Sequence, residues 1–196
     1  MALKSTINKA TIHLSDMDRN YYDTLQLTIA QHPSETNRRM MIRLIAFVLN
    51  ASENLQFGKG VSDEDEAAIW RINYSEVIEL WIELGQLDEK RLKKACNRAQ
   101  QVKLYCYGSS VDTWWQQSKG KLNQFDKLSI ESFSEATSAA LEQLADRSME
   151  FQVSIQDGQF WLTCGDETLL IELTKTFLLI LLIKPDKTLP GPISIN

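Results

Sequence analysis

The middle third of the chain carries acidic groups at spacings suited to a hard divalent cation. Asp63, Glu64, Asp65 and Glu66 form an unbroken run, and Glu79 and Glu83 follow in the segment VIELWIEL at 77–84. Mg²⁺ takes one or two carboxylates from a protein and fills its other positions with water and phosphate oxygens. Held there, Mg²⁺ would neutralise a phosphodiester oxygen and lower the pKa of an attacking water. Arg91 and Lys94 lie a little further along and could stabilise the negative charge that develops on the phosphorane oxygens. The chemistry these residue types point to is metal-dependent phosphodiester hydrolysis.

Spacing narrows the set. Glu79 and Glu83 share one face of an alternating segment, and four residues at ~3.3 Å each separate them by about 13 Å, too far for a single ion. Glu83 stands at the carboxyl end, beside the loop into the next helix, where α/β sheets usually bind ligands. An antiparallel pairing of 66–70 with 77–84 would bring the start of the first strand to the end of the second. Either Asp65 or Glu66 then approaches Glu83, so the expected metal ligands are Asp65, Glu66 and Glu83. Each group also has a plainer role: Asp63–Glu66 as a solvated loop, Glu79 as a face residue paired with an arginine of the helix at 35–50, and Arg91, Lys93 and Lys94 as the wet half of an amphipathic helix. Trp70, Trp81, Trp114 and Trp115 read as packing residues rather than a base-stacking platform. His32, before Pro33, reads as a turn or cap residue. No Ser/His/Asp or Cys/His arrangement and no phosphate-binding glycine loop stands out.

The elements that must position these groups are legible from period and punctuation. Residues 5–14 and 21–30 alternate and form two strands joined by turn residues at 16–20. Pro33 and Ser34 open a helix, with Ser34 as its cap and Glu35 in the first turn. Nearly every residue from Met40 to Leu49 is apolar, so this helix needs cover on most of its surface. Strand 77–84 ends at Gly85. Asp88 caps a helix running to about Gln101, and strand 102–108 follows, a crossover that implies parallel, right-handed pairing. A helix at 112–124, a strand in KLSIESF and a helix at 134–144 come next. Gln156-Asp157-Gly158 marks a hairpin between 149–155 and 159–164, with a further strand at 168–173. The expected fold is α+β or α/β, a central mixed sheet flanked by helices with extra strands at both ends. Residues 1–174 form one domain in this reading, and 175–196 a tail with no clear register.

Composition sets the outer limits. The chain has 196 residues, 43% apolar and 24% charged, with net charge −5. That suits a protein with a real core and carries no global sign of a nucleic-acid binder, although a local basic face is compatible with it. Cys96, Cys106 and Cys164 are odd in number and lack CxxC spacing, and His13 and His32 are too few to complete a zinc site. The longest apolar run, Phe177 to Ile183, is seven residues, against about 20 for a membrane span. With no signal-like start, the expected setting is cytoplasmic, without a membrane partner.

Six stretches carry a resemblance. MALKSTINKATIHLSDMDRN, HPSETNRRMMIRLIAF, LQFGKGVSDEDE, IELWIELGQLDEKRLKKAC, TWWQQ and SIQDGQFWL, in this order over residues 1–173, resemble the YaeQ family of bacterial proteins. That family is similar in fold to PD-(D/E)xK nucleases, whose core runs helix, three strands, helix, strand, in agreement with 35–107. The resemblance implies a metal site in which Glu83 is the glutamate of Glu-x-Lys, Asp65 the upstream aspartate, and Glu35 the acid of the first core helix. Gly85 stands where the lysine belongs. Lys94 is the candidate for a lysine moved to the next helix, with Arg91 as helper. Two functions follow as expectations: a Mg²⁺-dependent nuclease or related phosphodiesterase acting on nucleic acid, or a non-catalytic binding or regulatory protein on the same fold. The net charge and Gly85 favour the second; the convergence of Asp65, Glu83 and Lys94 favours the first.

Overall fold

A strand that is apolar on one face and carries a tryptophan on the other needs cover on both sides, and the architecture supplies it to 77–84. The computed structural model describes residues 4–59 and 65–177. Along the chain come β1 (Thr6–Asp16), β2 (Tyr21–Gln31), α1 (Asn37–Leu49), β3 (Leu55–Phe57), β4 (Ile69–Ile72), β5 (Ile78–Leu84), α2 (Glu89–Arg98), β6 (Ala99–Cys106), α3 (Val111–Leu122), β7 (Leu128–Phe133), α4 (Glu135–Gln143), β8 (Ser148–Gln156), β9 (Gln159–Cys164), β10 (Glu167–Ile171) and β11 (Leu173–Phe177). The strands make two mixed sheets, one in the order β10-β9-β8-β1-β2 and one in the order β11-β7-β6-β5-β4-β3.

The extra strands divide between the sheets: β1, β2 and β8–β10 build a sheet of their own, and β11 joins the central one. The reason lies in α1. Every residue from Met40 to Val48 is buried, and a helix that is apolar all round needs a layer on each side. Leu80, Ile82 and Leu84 of β5 meet it from one side, while Ala10, Ile12, Leu14, Phe151 and Val153 of the five-stranded sheet close the same core. The opposite face of β5 contributes Trp81 to a second core with Leu92, Ala95 and Cys96 of α2 and Val111 and Leu122 of α3.

The crossover through α2 gives parallel pairing of β5 with β6, Ile78 opposite Ala99 and Leu84 opposite Tyr105. β4 runs antiparallel to β5, Ile69 opposite Ile82. β4 begins at Ile69 rather than at 66, so Asp65 and Glu66 lie in the turn before it. Gly58 lets β3 close against this turn, since a Cβ there would stand 1.9 Å from the Ala67 carbonyl oxygen.

The starts of α2 and α4 follow their caps, while the start of α1 and the end of α2 differ from expectation. Asp88 and Ser134 accept from the main-chain N–H of Arg91 and Thr137, as side-chain caps should. The cap of α1 is Thr36, whose Oγ1 accepts from Arg39 N at 3.1 Å, not Ser34. Ser34 is held instead by His32, Nδ1 to Oγ 2.6 Å, which makes His32 a turn residue. α2 stops at Arg98 rather than Gln101 because the chain enters β6 at Ala99. β11 carries ordered pairing past residue 174, through Lys175 and Phe177; the rest of the expected tail lies outside the described residues. Among the described residues no helix is long and apolar enough to cross a membrane.

Candidate functional site

Glu83 stands at the end of β5 facing α2 and is buried. Alternation along β5 puts residues 81 and 83 on the α2 side of the sheet, and the Glu83 side chain is 2% exposed. Its Oε1 accepts from Trp81 Nε1 at 2.8 Å and from Arg91 Nε at 3.1 Å, with Arg91 Nη2 at 2.8 Å. Burial pushes the Glu83 carboxyl above the usual carboxylate range, while Trp81, Arg91 and the charge of Arg39 oppose that rise. Arg91 also donates through Nη2 to the main-chain oxygen of Glu66 at 3.3 Å. It therefore ties the 65–66 turn to the end of β5.

The turn arrives, but its carboxylates face elsewhere. Asp65 is bound by Lys94, Nζ to Oδ1, and Arg98 donates to the Asp65 main-chain oxygen. The hydrogen bond from Lys94 and its charge hold the Asp65 carboxyl below its ordinary value. Glu66 is bound by Lys59, Nζ to Oε1 2.7 Å and main-chain N to Oε2 3.0 Å, and those bonds lower its pKa too. Asp63 and Glu64 lie outside the described residues. Among the described residues no three His, Cys, Asp or Glu side chains gather as a metal-ligand group.

Glu35 does not sit in the first turn of α1, and no direct bond joins it to Glu83 among the described contacts; Arg39, which binds it, also acts by its charge on Glu83. Glu35 precedes the Thr36 cap and is fully buried, accepting from Arg39 Nη1 at 2.6 Å and from Arg43 Nη2 at 2.8 Å. Arg43 also donates to the Ala30 carbonyl at 2.9 Å, while its Nε has no partner. Glu79 takes its arginine from β4, Arg71 Nε at 2.9 Å, and not from α1. It occupies the extra position of a bulge between β4 and β5, which turns its side chain back toward Arg71 and Asn73.

Gly85 has φ +95, a backbone state that side-chain-bearing residues rarely adopt. Its N–H bonds to the Tyr105 carbonyl at 2.9 Å, ending β5 and turning the chain toward α2. A lysine at this place would meet a backbone penalty from the turn. The cation beside Glu83 is Arg91, and Lys94 points to Asp65 instead.

Sequence reasoning missed three partners that spacing could have shown. Trp81 lies two residues from Glu83 on one strand face, within reach of its carboxylate. Arg39 and Arg43 follow Glu35 at four-residue steps, the helical interval for ion pairs. Lys59 had no local signal: it stands seven residues before Glu66, and no shared helix or strand ties the two.

The outer face of α2, which supplies Arg91, Lys94 and Arg98 to this network, also presents further cations. Lys90, Arg91, Lys93, Lys94 and Arg98, with Asp88 and Asn97, line an open groove of about 600 Å³. Lys90 and Lys93 are exposed, and Arg98 lies over the Trp81 ring, 5.1 Å from its centroid. Burial pushes the Cys96 thiol up to about 11 and the Cys106 thiol up to about 12, so neither is a nucleophile near neutrality.

Comparison with known proteins covers most of the chain. The family model described as "YaeQ protein" matches residues 1–173. The chain is 47% identical over 175 residues to the uncharacterized protein YaeQ of Salmonella typhi, and 46% identical over 175 residues to that of Escherichia coli K12; each match covers 89% of this chain and 97% of the relative. The crystal structure of YaeQ protein from Xanthomonas axonopodis pv. citri superposes with a TM-score of 0.84 at 39% identity, over 88% of this chain and 98% of that one. The YaeQ protein structure from Pseudomonas syringae gives 0.85 at 31% identity, over 88% and 96%. Matched in sequence over residues 1–173 and in its two-sheet, helix-layered architecture, this chain belongs to the YaeQ family.

Proposed function

We propose that this protein is a non-catalytic binding protein on a PD-(D/E)xK nuclease-like fold, and that it takes a phosphate-bearing polyanion, nucleic acid first among them, on the basic face of α2. The fold assignment draws support from the element order α1-β3-β4-β5-α2-β6, a helix, three strands, a helix and a strand. One observation carries the functional reading: each acid of the expected site is already bound by a cation of its own chain, while Lys90 and Lys93 face open solvent. Glu83 has Arg91 and Trp81, Asp65 has Lys94, Glu66 has Lys59, and Glu35 has Arg39 and Arg43.

That arrangement suits Mg²⁺ poorly. A hard cation needs anionic oxygens with free lone pairs. The Oε1 of Glu83 meets three N–H groups, and the Glu66 main-chain oxygen is taken up by Arg91. A phosphate chain, in contrast, is held by exposed lysines and arginines with release of counterions. Five cations along ten residues of α2 offer such a stripe despite the net charge of −5.

Fluorescence anisotropy with labelled single- and double-stranded oligonucleotides tests this. Wild type should bind with an affinity that falls steeply with salt. Lys90→Ala/Lys93→Ala should weaken binding to every sequence alike and flatten the log–log salt slope by about 2, roughly one per lost phosphate contact. An unchanged affinity in the double variant overturns the assignment.

A Mg²⁺-dependent phosphodiesterase is the second reading. It is favoured by the way Arg91 draws the 65–66 turn to Glu83 with Lys94 beside Asp65. It requires Asp65 to leave Lys94 and face Glu83. Thermal melting separates the two: the binding reading expects no Mg²⁺- or Mn²⁺-dependent rise in Tm, whereas a rise in wild type that is absent in Glu83→Gln establishes an ion site.

A further inference from the structure

β2 is an eleven-residue strand at the margin of the five-stranded sheet, paired with β1 on one side and with no strand among the described residues on the other. Sheet margins of this length normally carry charges, prolines or bulges that prevent pairing with a second chain. β2 has one charged residue, Asp23, no proline, and an unbroken eleven-pair register with β1.

Its sequence is also self-complementary. Thr24-Leu25-Gln26-Leu27-Thr28 reads the same in both directions about Gln26. An antiparallel strand pair related by a twofold axis places residue i opposite its mirror position. A twofold at Gln26 therefore sets Thr24 opposite Thr28, Leu25 opposite Leu27, and Gln26 opposite itself. Thr–Thr pairs are favourable cross-strand neighbours. Leu25 and Leu27 are half-buried at the rim of the core, and leucines from the second copy would complete their cover.

The main chain is oriented for this. Thr24 N–H is met by the Asp23 carboxylate at 2.7 Å, and the Ala30 carbonyl by Arg43 at 2.9 Å. Both residues are even-numbered, and strand groups alternate in direction, so the even residues turn their N–H and C=O away from β1. In the register centred on Gln26, the reciprocal Gln26 bonds and the bonds from Thr28 N–H to the Thr24 carbonyl form without displacing either local partner.

We propose that two copies of this chain pair β2 to β2, antiparallel about Gln26, so that their five-stranded sheets join into one continuous sheet of ten strands. The contact is isologous and keeps both helical layers on the same side of the joined sheet.

Sedimentation equilibrium of the full chain reads it directly. Wild type should sediment as a dimer. Gln26→Lys and Gln26→Glu each place like charges across the axis, and each alone should weaken dimerisation by at least about tenfold. Mixed in equal amounts, the two should recover a dimer, because the opposed charges now attract; both are exposed substitutions, and unchanged far-UV circular dichroism confirms the fold. A monomeric wild type overturns the proposal. So does a dimer that both single variants retain at wild-type strength, or an equal mixture that stays monomeric.

Discussion

At the scale of single residues, the buried acids act on stability, and each is measurable. Glu35 is enclosed with Arg43, both side chains at 1% exposure or less. Removing one charge of such a pair leaves the other buried without compensation, which costs about 3 kcal/mol or more. Glu35→Gln should lower unfolding free energy by about that amount in urea titration, and a loss under about 1 kcal/mol would show that Arg39 and Arg43 find other partners. Glu83 acts in the opposite sense with pH. Its folded pKa lies above the ordinary 4.5, so the folded state holds that proton more tightly than the unfolded chain. Stability from this group is complete below the ordinary value and declines as pH rises through the raised one. Glu83→Gln removes the titration, so its stability should fall less than that of wild type between acid and neutral pH. Parallel slopes from denaturation at a series of pH values would contradict the burial argument. Asp65 and Glu66 run the other way: their depressed values contribute above the ordinary carboxyl range and lose that contribution as pH falls through the folded values.

At the scale of elements, the junction of β5 with α2 decides what stands beside Glu83. Gly85 adopts φ +95 with nothing within 4 Å of a Cβ placed there, so any side chain meets a backbone penalty without a steric clash. Gly85→Lys, which writes Glu-x-Lys back into the sequence, should destabilise by about 1–3 kcal/mol and create no hydrolytic activity. Thermal melting and a nuclease assay check the two halves, and a stable, active variant would show that the turn is not what keeps lysine away. The same turn was readable in part. Gly85 marked the end of the strand and Asp88 the start of the helix, both from local chemistry. The bulge at Glu79 was not readable, because a strand that carries one extra residue looks like any alternating segment until its neighbour's register is known. For that reason Glu79 was expected to pair with α1 and in fact meets Arg71.

At the scale of the whole molecule, the arrangement of layers determines which face of each element is wet. α1 is apolar around its circumference because two sheets sandwich it, and that left α2, covered by the central sheet on one side only, to carry the cations outward. The sequence by itself determined most of the elements, though not β3 or β11: hairpins from alternation and turn residues, helices from caps and period, the parallel β5–α2–β6 crossover from its length, and the YaeQ family from six ordered stretches. It also brought the right segments together, since the 65–66 turn does reach the end of β5. Only the tertiary structure decided which charges meet. Lys59, Arg91 and Lys94 stand 7, 8 and 29 residues from the acids they bind, and no hydrophobic period records such pairings. They are selected by how backbones already fixed by apolar burial happen to bring donors within reach, as is the division of the strands into two sheets, which follows from covering a helix that no single sheet could enclose.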